Sequence, residues 1–298
     1  MNRAARYGIG TPGVTLAGGY SEHGGWERAV TVEDFAEIAR AADRLGYAYL
    51  ACSEHVGIPP DVEAVRGGRY FDPLPFFGYL AAVTTRIRFI TYVLVLAYSH
   101  PLAIAKRYGT LDWMCGGRVM LGVGVGSLKP EFDLLGLGGV EFAERGERGD
   151  DAIRAIRAAM GRRMPAYSGP HYQFSDFIID PCAIQQDMPI WIGGRSARSL
   201  RRAVELGDGW APFGLPVPEM RSMIARAKDQ PGWDARSKPL ELALRYHGEL
   251  DPIGEPGLTA ERVAATFEAG ATLMHIGMAS RSAAHYVEQL EALAELEV

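Results

Sequence analysis

Glu54 and His55 stand side by side just after a short apolar run, and a histidine, with an ordinary pKa of about 6.5, exchanges protons at neutral pH. Neighbouring residues on a strand point to opposite sides, so the two act as one acid/base pair only where the strand ends before them. A lone histidine is more often structural than catalytic. Further along, Gly193-Gly194-Arg195-Ser196 combines two glycines, which let a ligand approach the backbone, with a helix start at Ser196 whose free amides and positive dipole end suit a phosphate. Arg195 would add a charged donor. The same four residues also make an ordinary tight turn with Ser196 as N-cap. Gly122, Gly124 and Gly126 alternate in Gly-Val-Gly-Val-Gly, a spacing that differs from the G-x-G-x-x-G dinucleotide fingerprint. On a strand they share one side and leave bare backbone against which a flat ring could lie, or against which a neighbouring strand packs closely. HExxH, the P-loop and the G-x-S-x-G elbow are all absent.

These groups need a frame, and the frame is an alternation of strand and helix signals along the chain. Thr31 is a good N-cap with Asp34 three residues on; Phe35, Ile38, Ala39, Ala42 and Leu45 follow at helical spacing, and Gly46 sits where a helix stops. Strands are expected near residues 7–10, 47–52, 87–96, 119–125, 189–192, 209–212, 240–246 and 273–277. Helices are expected over 31–45, 72–84, 101–114, 142–160, 196–206, 218–228, 259–269 and 282–293. Eight such units point to an α/β chain folded as a (β/α)8 TIM barrel, with an eight-stranded doubly wound sheet as the alternative. Three stretches are too long for ordinary connections and read as insertions of one domain covering 1–298: about 56–71, 127–141 and 164–188. The first two follow strands, where a barrel builds its active site. Their prolines and glycines suit lids, and Tyr70, Phe71, Tyr98 and Phe213 suggest an apolar site, although core or interface roles fit them as well. The third, rich in proline, reads as a small irregular subdomain.

Composition narrows the chemistry. The 298 residues carry 27 Arg but only 4 Lys, and a net charge of -5. No basic stripe for nucleic acid is visible. None of the lysines lies in an expected strand, which removes a barrel Schiff base. The three cysteines show no metal-ligand or CxxC spacing, so a reducing, cytoplasmic setting is expected, and residues 1–8 show no leader-peptide pattern. The apolar run over 89–98 is too short to span a bilayer. His55, His100 and His247 are too scattered for a metal site, and none is expected.

Several segments together resemble the luciferase-like monooxygenase superfamily: Leu45-Gly46-Tyr47 leading to Ser53-Glu54-His55, Tyr70-Phe71-Asp72-Pro73-Leu74, Ser99-His100-Pro101, and Leu111-Asp112 before Gly116-Gly117-Arg118. The likeness continues through Leu121-Gly122-Val123-Gly124-Val125-Gly126, Phe142-Ala143-Glu144-Arg145-Gly146, Pro189-Ile190-Trp191-Ile192-Gly193-Gly194 and Gly207-Asp208-Gly209-Trp210. It covers about residues 7 to 210, and it is nearest to the coenzyme F420-dependent oxidoreductases.

The resemblance implies a homodimeric TIM barrel holding a flavin or 5-deazaflavin in its carboxyl-terminal mouth. It implies a third-strand bulge with a non-prolyl cis peptide behind the ring, matching Thr91-Tyr92-Val93, with Tyr92 where glycine is more usual. It assigns the active-site histidine to His55, beside Glu54, and the phosphate turn to Gly193, Gly194, Arg195 and Ser196, with Gly124 and Gly126 at the ring. The expectation is hydride transfer between coenzyme F420 and a small organic substrate. An FMN-dependent monooxygenase is the alternative, and a non-catalytic cofactor-binding barrel the second.

Overall fold

Thr31 and Asp34 start the first helix reciprocally. The Asp34 amide donates to Thr31 Oγ1 (3.2 Å) and the Thr31 amide to Asp34 Oδ2 (2.7 Å). Gly46 ends the helix Val32–Leu45 at φ 82°, in the left-handed region where a side chain is strained. This computed structural model describes residues 3–14 and 25–297. The leader-peptide expectation rests partly on Met1 and Asn2, which lie outside the described residues.

In chain order the strands are β1 (Tyr7–Gly10), β2 (Tyr49–Cys52), β3 (Arg88–Thr91), β4 (Leu94–Val95), β5 (Val119–Gly124), β6 (Tyr167–Ser168), β7 (Gln173–Phe174), β8 (Ile190–Gly193), β9 (Gly209–Ala211), β10 (Glu241–Arg245) and β11 (Leu273–Ile276). Nine form one parallel sheet in the order β3-β2-β1-β11-β10-β9-β8-β5-β4, and a β3–β5 pairing closes it. Because β3 and β4 lie end to end beside β5, the ring has eight staves. This is the expected TIM barrel, and its closure excludes the doubly wound sheet. The crossover helices are Val32–Leu45, Pro73–Val83, Pro101–Met114, Arg145–Ala159, Ala197–Leu206, Val217–Lys228, Pro256–Glu268 and Ala283–Glu295.

Alternation along the strands separates two cores. Leu50, Phe89, Leu121, Val123, Ile190, Ile192, Leu242 and Leu244 face the helices, while Tyr49, Ala51, Ile90, Tyr92, Met120, Trp191, Ala211 and Ala243 fill the barrel. The lumen is therefore packed with aromatic rings up to its carboxyl-terminal mouth.

Five expected segments differ or gain structure of their own. The strand over 87–96 is broken: Ile90 pairs with Met120 and Leu94 with Val123, leaving one more residue between these pairs on β3–β4 than on β5. That is a β-bulge at Tyr92 and Val93, and their peptide bond is cis. The helix over 142–160 is interrupted at Glu144 (ψ 2°), beside which the Arg145 guanidinium donates to the Phe142 carbonyl (2.7 Å). The first two insertions contain short helices, Pro60–Arg66 and Lys129–Leu134. The third folds into the β6–β7 hairpin, whose shape comes from Asp151 of the barrel wall accepting from Tyr167 Oη and from the His171 (2.8 Å) and Tyr172 (3.1 Å) amides.

Candidate active site at the barrel mouth

β2 ends at Cys52, so Glu54 and His55 enter irregular chain at the mouth, and the two side chains turn to different partners. His55 Nδ1 lies 2.7 Å from Glu131 Oε2, in the second insertion. Its Nε2 lies 3.3 Å from Arg66 Nη2, in the first. A guanidinium can only donate, so Nε2 carries the lone pair and Nδ1 the proton given to Glu131. The Tyr70 ring stands edge-on to the imidazole, with centroids 4.5 Å apart.

Glu131 is 1% exposed, yet its carboxylate is saturated with donors. Besides His55 it accepts from Tyr98 Oη (2.6 Å), the Val56 amide (2.6 Å) and the Gly57 amide (3.3 Å). Burial pulls its pKa upward, but the bonds from His55 and Tyr98, the electrostatic attraction of the imidazole and the Val56 amide prevail and hold it below the ordinary glutamate range. Burial and the bond to Glu131 drive the Tyr98 hydroxyl far upward, so it remains a proton donor. The sequence does not single out Glu131 or Arg66. Each belongs to a helix of six or seven residues, too short for periodicity to reveal a buried face, and Glu131 is 76 residues from its histidine.

Glu54 is not paired with His55. Its Oε2 accepts from the Val95 amide (2.8 Å), which ties the end of β2 to β4 just beyond the bulge. Burial pushes its carboxyl up to about 7, against the Val95 amide and with Asp72 and Glu131 adding to the rise. The carboxylate beside His55 is therefore Glu131 and not the expected Glu54, which bonds the Val95 amide instead.

At the bulge, two of the three expected ring-facing side chains are committed to the protein. Thr91 Oγ1 donates to the Gly122 carbonyl (2.7 Å) and accepts from its amide (3.1 Å). Tyr92 crosses the lumen to donate to the Pro212 carbonyl (2.7 Å) and stacks on His275, centroids 4.4 Å apart. Val93 alone is partly exposed. A Cβ on Gly193 would stand 2.4 Å from Val93 Cγ1, and one on Gly124 would stand 2.7 Å from Cγ2, so the two glycines make the notch that seats this side chain. The bare backbone expected along Gly122, Gly124 and Gly126 is therefore filled by the chain itself: Thr91 O stands 2.0 Å from a Cβ on Gly122, and Phe132 2.6 Å from one on Gly126.

β8 runs through Gly193 to Gly194, at φ 113°, and then to Arg195 and Ser196. Ser196 caps the helix Ala197–Leu206: its hydroxyl accepts from the Ser199 amide (3.2 Å), and Ser199 Oγ accepts from the Ser196 amide (3.2 Å). The Ala197 and Arg198 amides are left facing outward at the positive end of the helix, beside the exposed side chains of Arg195 and Arg198. This half of the mouth offers donors to an anion, and the other half holds the His55 imidazole between a carboxylate and a guanidinium.

Among the described residues, no group of three acidic, histidine or cysteine side chains is placed to hold a metal, and no helix is long and apolar enough to cross a membrane.

A family model described as luciferase-like monooxygenase matches residues 12–247. The uncharacterized protein Rv0940c of Mycobacterium tuberculosis is 30% identical over 255 residues, covering 82% of this chain and 84% of that protein. An F420-dependent glucose-6-phosphate dehydrogenase of Microbacterium testaceum is 32% identical over 70% of this chain and 63% of its own length. An FMNH2-dependent dimethylsulfone monooxygenase of Pseudomonas putida is 30% identical over 49% of this chain and 40% of its own. In fold, the long-chain alkane monooxygenase LadA superposes with a TM-score of 0.77 at 14% identity, covering 97% of this chain and 89% of LadA. The F420-dependent tetrahydromethanopterin reductase of Methanopyrus kandleri reaches 0.69 at 14% identity and covers 98% of both chains.

Proposed function

This chain belongs to the luciferase-like monooxygenase family of flavin- and F420-dependent oxidoreductases and monooxygenases, and on that premise we propose that it uses coenzyme F420 to oxidise or reduce a small organic substrate. The single observation that carries the reading is the bulge: Val93 stands partly exposed in a notch made by Gly124 and Gly193, a shaped apolar step at the mouth of an otherwise filled barrel. A planar ring fits against that step. The residues that would hold the cofactor are Val93 at the ring, backed by the buried Tyr92, and Gly193, Gly194, Arg195 and Ser196 at a phosphate. When bound, the deazaflavin supplies the hydride chemistry.

The chain's own part is proton management. His55 Nε2 takes a proton from the substrate hydroxyl, or returns it in the reverse direction, once Arg66 moves off that nitrogen. The Glu131 carboxylate stabilises the imidazolium through Nδ1, and Tyr98 and the Val56 amide keep that carboxylate in place. Glu54 keeps the bulge against β2.

FMN chemistry is the second reading. F420 is favoured because the F420-dependent relative aligns over 70% of this chain and the FMNH2-dependent one over 49%. Titrating the protein with F420 and separately with FMN, followed by absorption and fluorescence, decides between them. Tight binding of FMN alone, with substrate-dependent oxygen uptake, overturns the F420 assignment. The His55→Ala variant should keep cofactor binding and lose turnover. The reading also carries a homodimer, which light scattering of the purified protein tests.

A further inference from the structure

Along β10, Leu242 and Leu244 face the helices and Ala243 faces the lumen, so Arg245 shares the inner face at the carboxyl-terminal rim. Its register partner on β11 is His275. Arg245 Nη2 lies 3.7 Å from the point where a Cβ on Gly277 would stand, and Glu249 Cγ lies 4.0 Å from the same point. The guanidinium therefore leans over an opening that the absence of a side chain at Gly277 creates.

Three other enclosed arginines have donors bonded to the protein. Arg118 serves Cys115, Ile87, Ala81 and Thr84; Arg236 serves the carbonyls of Ala203, Val204 and Gly207; Arg202 bonds Asp150 and Gly146. Arg245 is half-buried, yet among the described residues it makes no hydrogen bond and no ion pair. A cation held partly out of water without partners costs stability, which is the signature of a group kept for a ligand. Of the groups that face it, Tyr49, Tyr92 and Tyr286 are buried phenols and His275 is kept neutral by burial and then by Arg245 itself. Glu249 is an acidic neighbour, its carboxyl pushed up to about 7 by burial and Glu27 and drawn back by Arg245, at no ion-pair distance from the guanidinium.

We propose that Arg245 is the substrate anchor of this mouth: its planar fork binds an oxyanion group, carboxylate or phosphate monoester, on the small organic substrate. This specifies a substrate class and rests on the mouth being the substrate chamber of the proposed oxidoreductase.

The experiment is calorimetric titration of the cofactor-free protein with benzoate, phenyl phosphate and benzamide, for the natural sequence, Arg245→Met and Arg245→Lys. At least one anion should bind about 10-fold or more tighter than benzamide; Arg245→Met should abolish that preference and Arg245→Lys keep part of it. The two anions distinguish a carboxylate from a phosphate substrate. Equal binding of benzamide and both anions overturns the proposal, and so does an anion preference that survives Arg245→Met. A loss of F420 or FMN affinity in Arg245→Met as large as the loss of anion affinity also overturns it, by assigning the guanidinium to the cofactor. If Arg245→Met does not fold, the Arg245→Lys variant decides: it must weaken the anion more than benzamide. Because the titration needs neither cofactor nor turnover, anion selectivity and cofactor use stand or fall separately.

Discussion

His55 Nδ1 and Glu131 Oε2 are 2.7 Å apart across 76 residues of chain, and this contact joins the loop after β2 to the loop after β5. The same carboxylate accepts from the Val56 and Gly57 amides, so one buried glutamate sets both the histidine tautomer and the relation between two insertions. Loop architecture, and in the proposed mechanism proton transfer at His55, therefore depend on a single charge.

Replacing that charge tests both roles. Glu131→Gln keeps the shape but sets an amide donor against several protein donors, and it should cost about 2 to 4 kcal/mol in urea unfolding. Turnover should fall on the order of 100-fold with cofactor affinity nearly unchanged. Because the Glu131 pKa is lowered in the fold, its stabilising contribution is complete above the ordinary glutamate value of about 4.3 and disappears as pH falls through the lower, folded value. Unfolding curves that match the parent at every pH would remove Glu131 from this account.

Glu54 has the opposite sign. Its folded carboxyl sits at about 7, above the unfolded value, so the stability linked to it is complete below about 4.3 and is lost as pH rises through 7. Glu54→Gln retains a carbonyl for the Val95 amide and is neutral at all pH values. Between pH 5 and 8 the parent should lose on the order of 2 to 3 kcal/mol more than Glu54→Gln. Melting temperatures of the two across that range give the answer, and parallel profiles would contradict it.

The notch around Val93 predicts a rescue. In Gly193→Ala the new methyl meets Val93 Cγ1 at 2.4 Å, while the valine's other methyl is seated over Gly124, 2.7 Å from where a Cβ there would stand, and a β-branched side chain is stiff about χ1. The variant should lose about 1 to 3 kcal/mol and bind cofactor more weakly. Adding Val93→Ala to it should restore most of the stability, because the methyl groups in conflict are gone. A double-mutant cycle by thermal unfolding measures this, and simple additivity of the two changes would refute the notch.

At the start of the helix Ala197–Leu206, neighbouring residues have separable jobs. Ser196→Ala removes the cap on the Ser199 amide and should cost about 1 kcal/mol of stability. Arg195→Gln, at an exposed position, should leave melting unchanged and weaken binding of a phosphate-bearing cofactor about 10-fold. Equal cofactor affinity in Arg195→Gln would place the phosphate elsewhere.

Much of the frame is legible in the chain because its signals are local. Thr31, Asp34 and Gly46 mark one helix within a few residues, and the alternation of eight such units is enough to specify a barrel. His55 and Ser196 are legible for the same reason, since a strand end and a helix start are read from their immediate neighbours. The bulge is harder: Tyr92 and Val93 sit in a nearly unbroken apolar run whose own pattern hides an extra residue, so that it is expected only from the family resemblance and is seen in the register against Met120 and Val123.

The amino-acid sequence by itself determined the barrel, its three insertions, the histidine at the end of β2 and the glycine turn after β8. Tertiary structure alone decided that His55 pairs with Glu131 and not with Glu54, that Gly124 and Gly193 make room for Val93, and that Arg245, without a hydrogen bond or ion pair among the described residues, leans over Gly277. The reason is physical. Propensity, capping and periodicity act over one or two turns of chain, whereas hydrogen bonds and packing between staves depend on how a closed ring brings distant loops to one end.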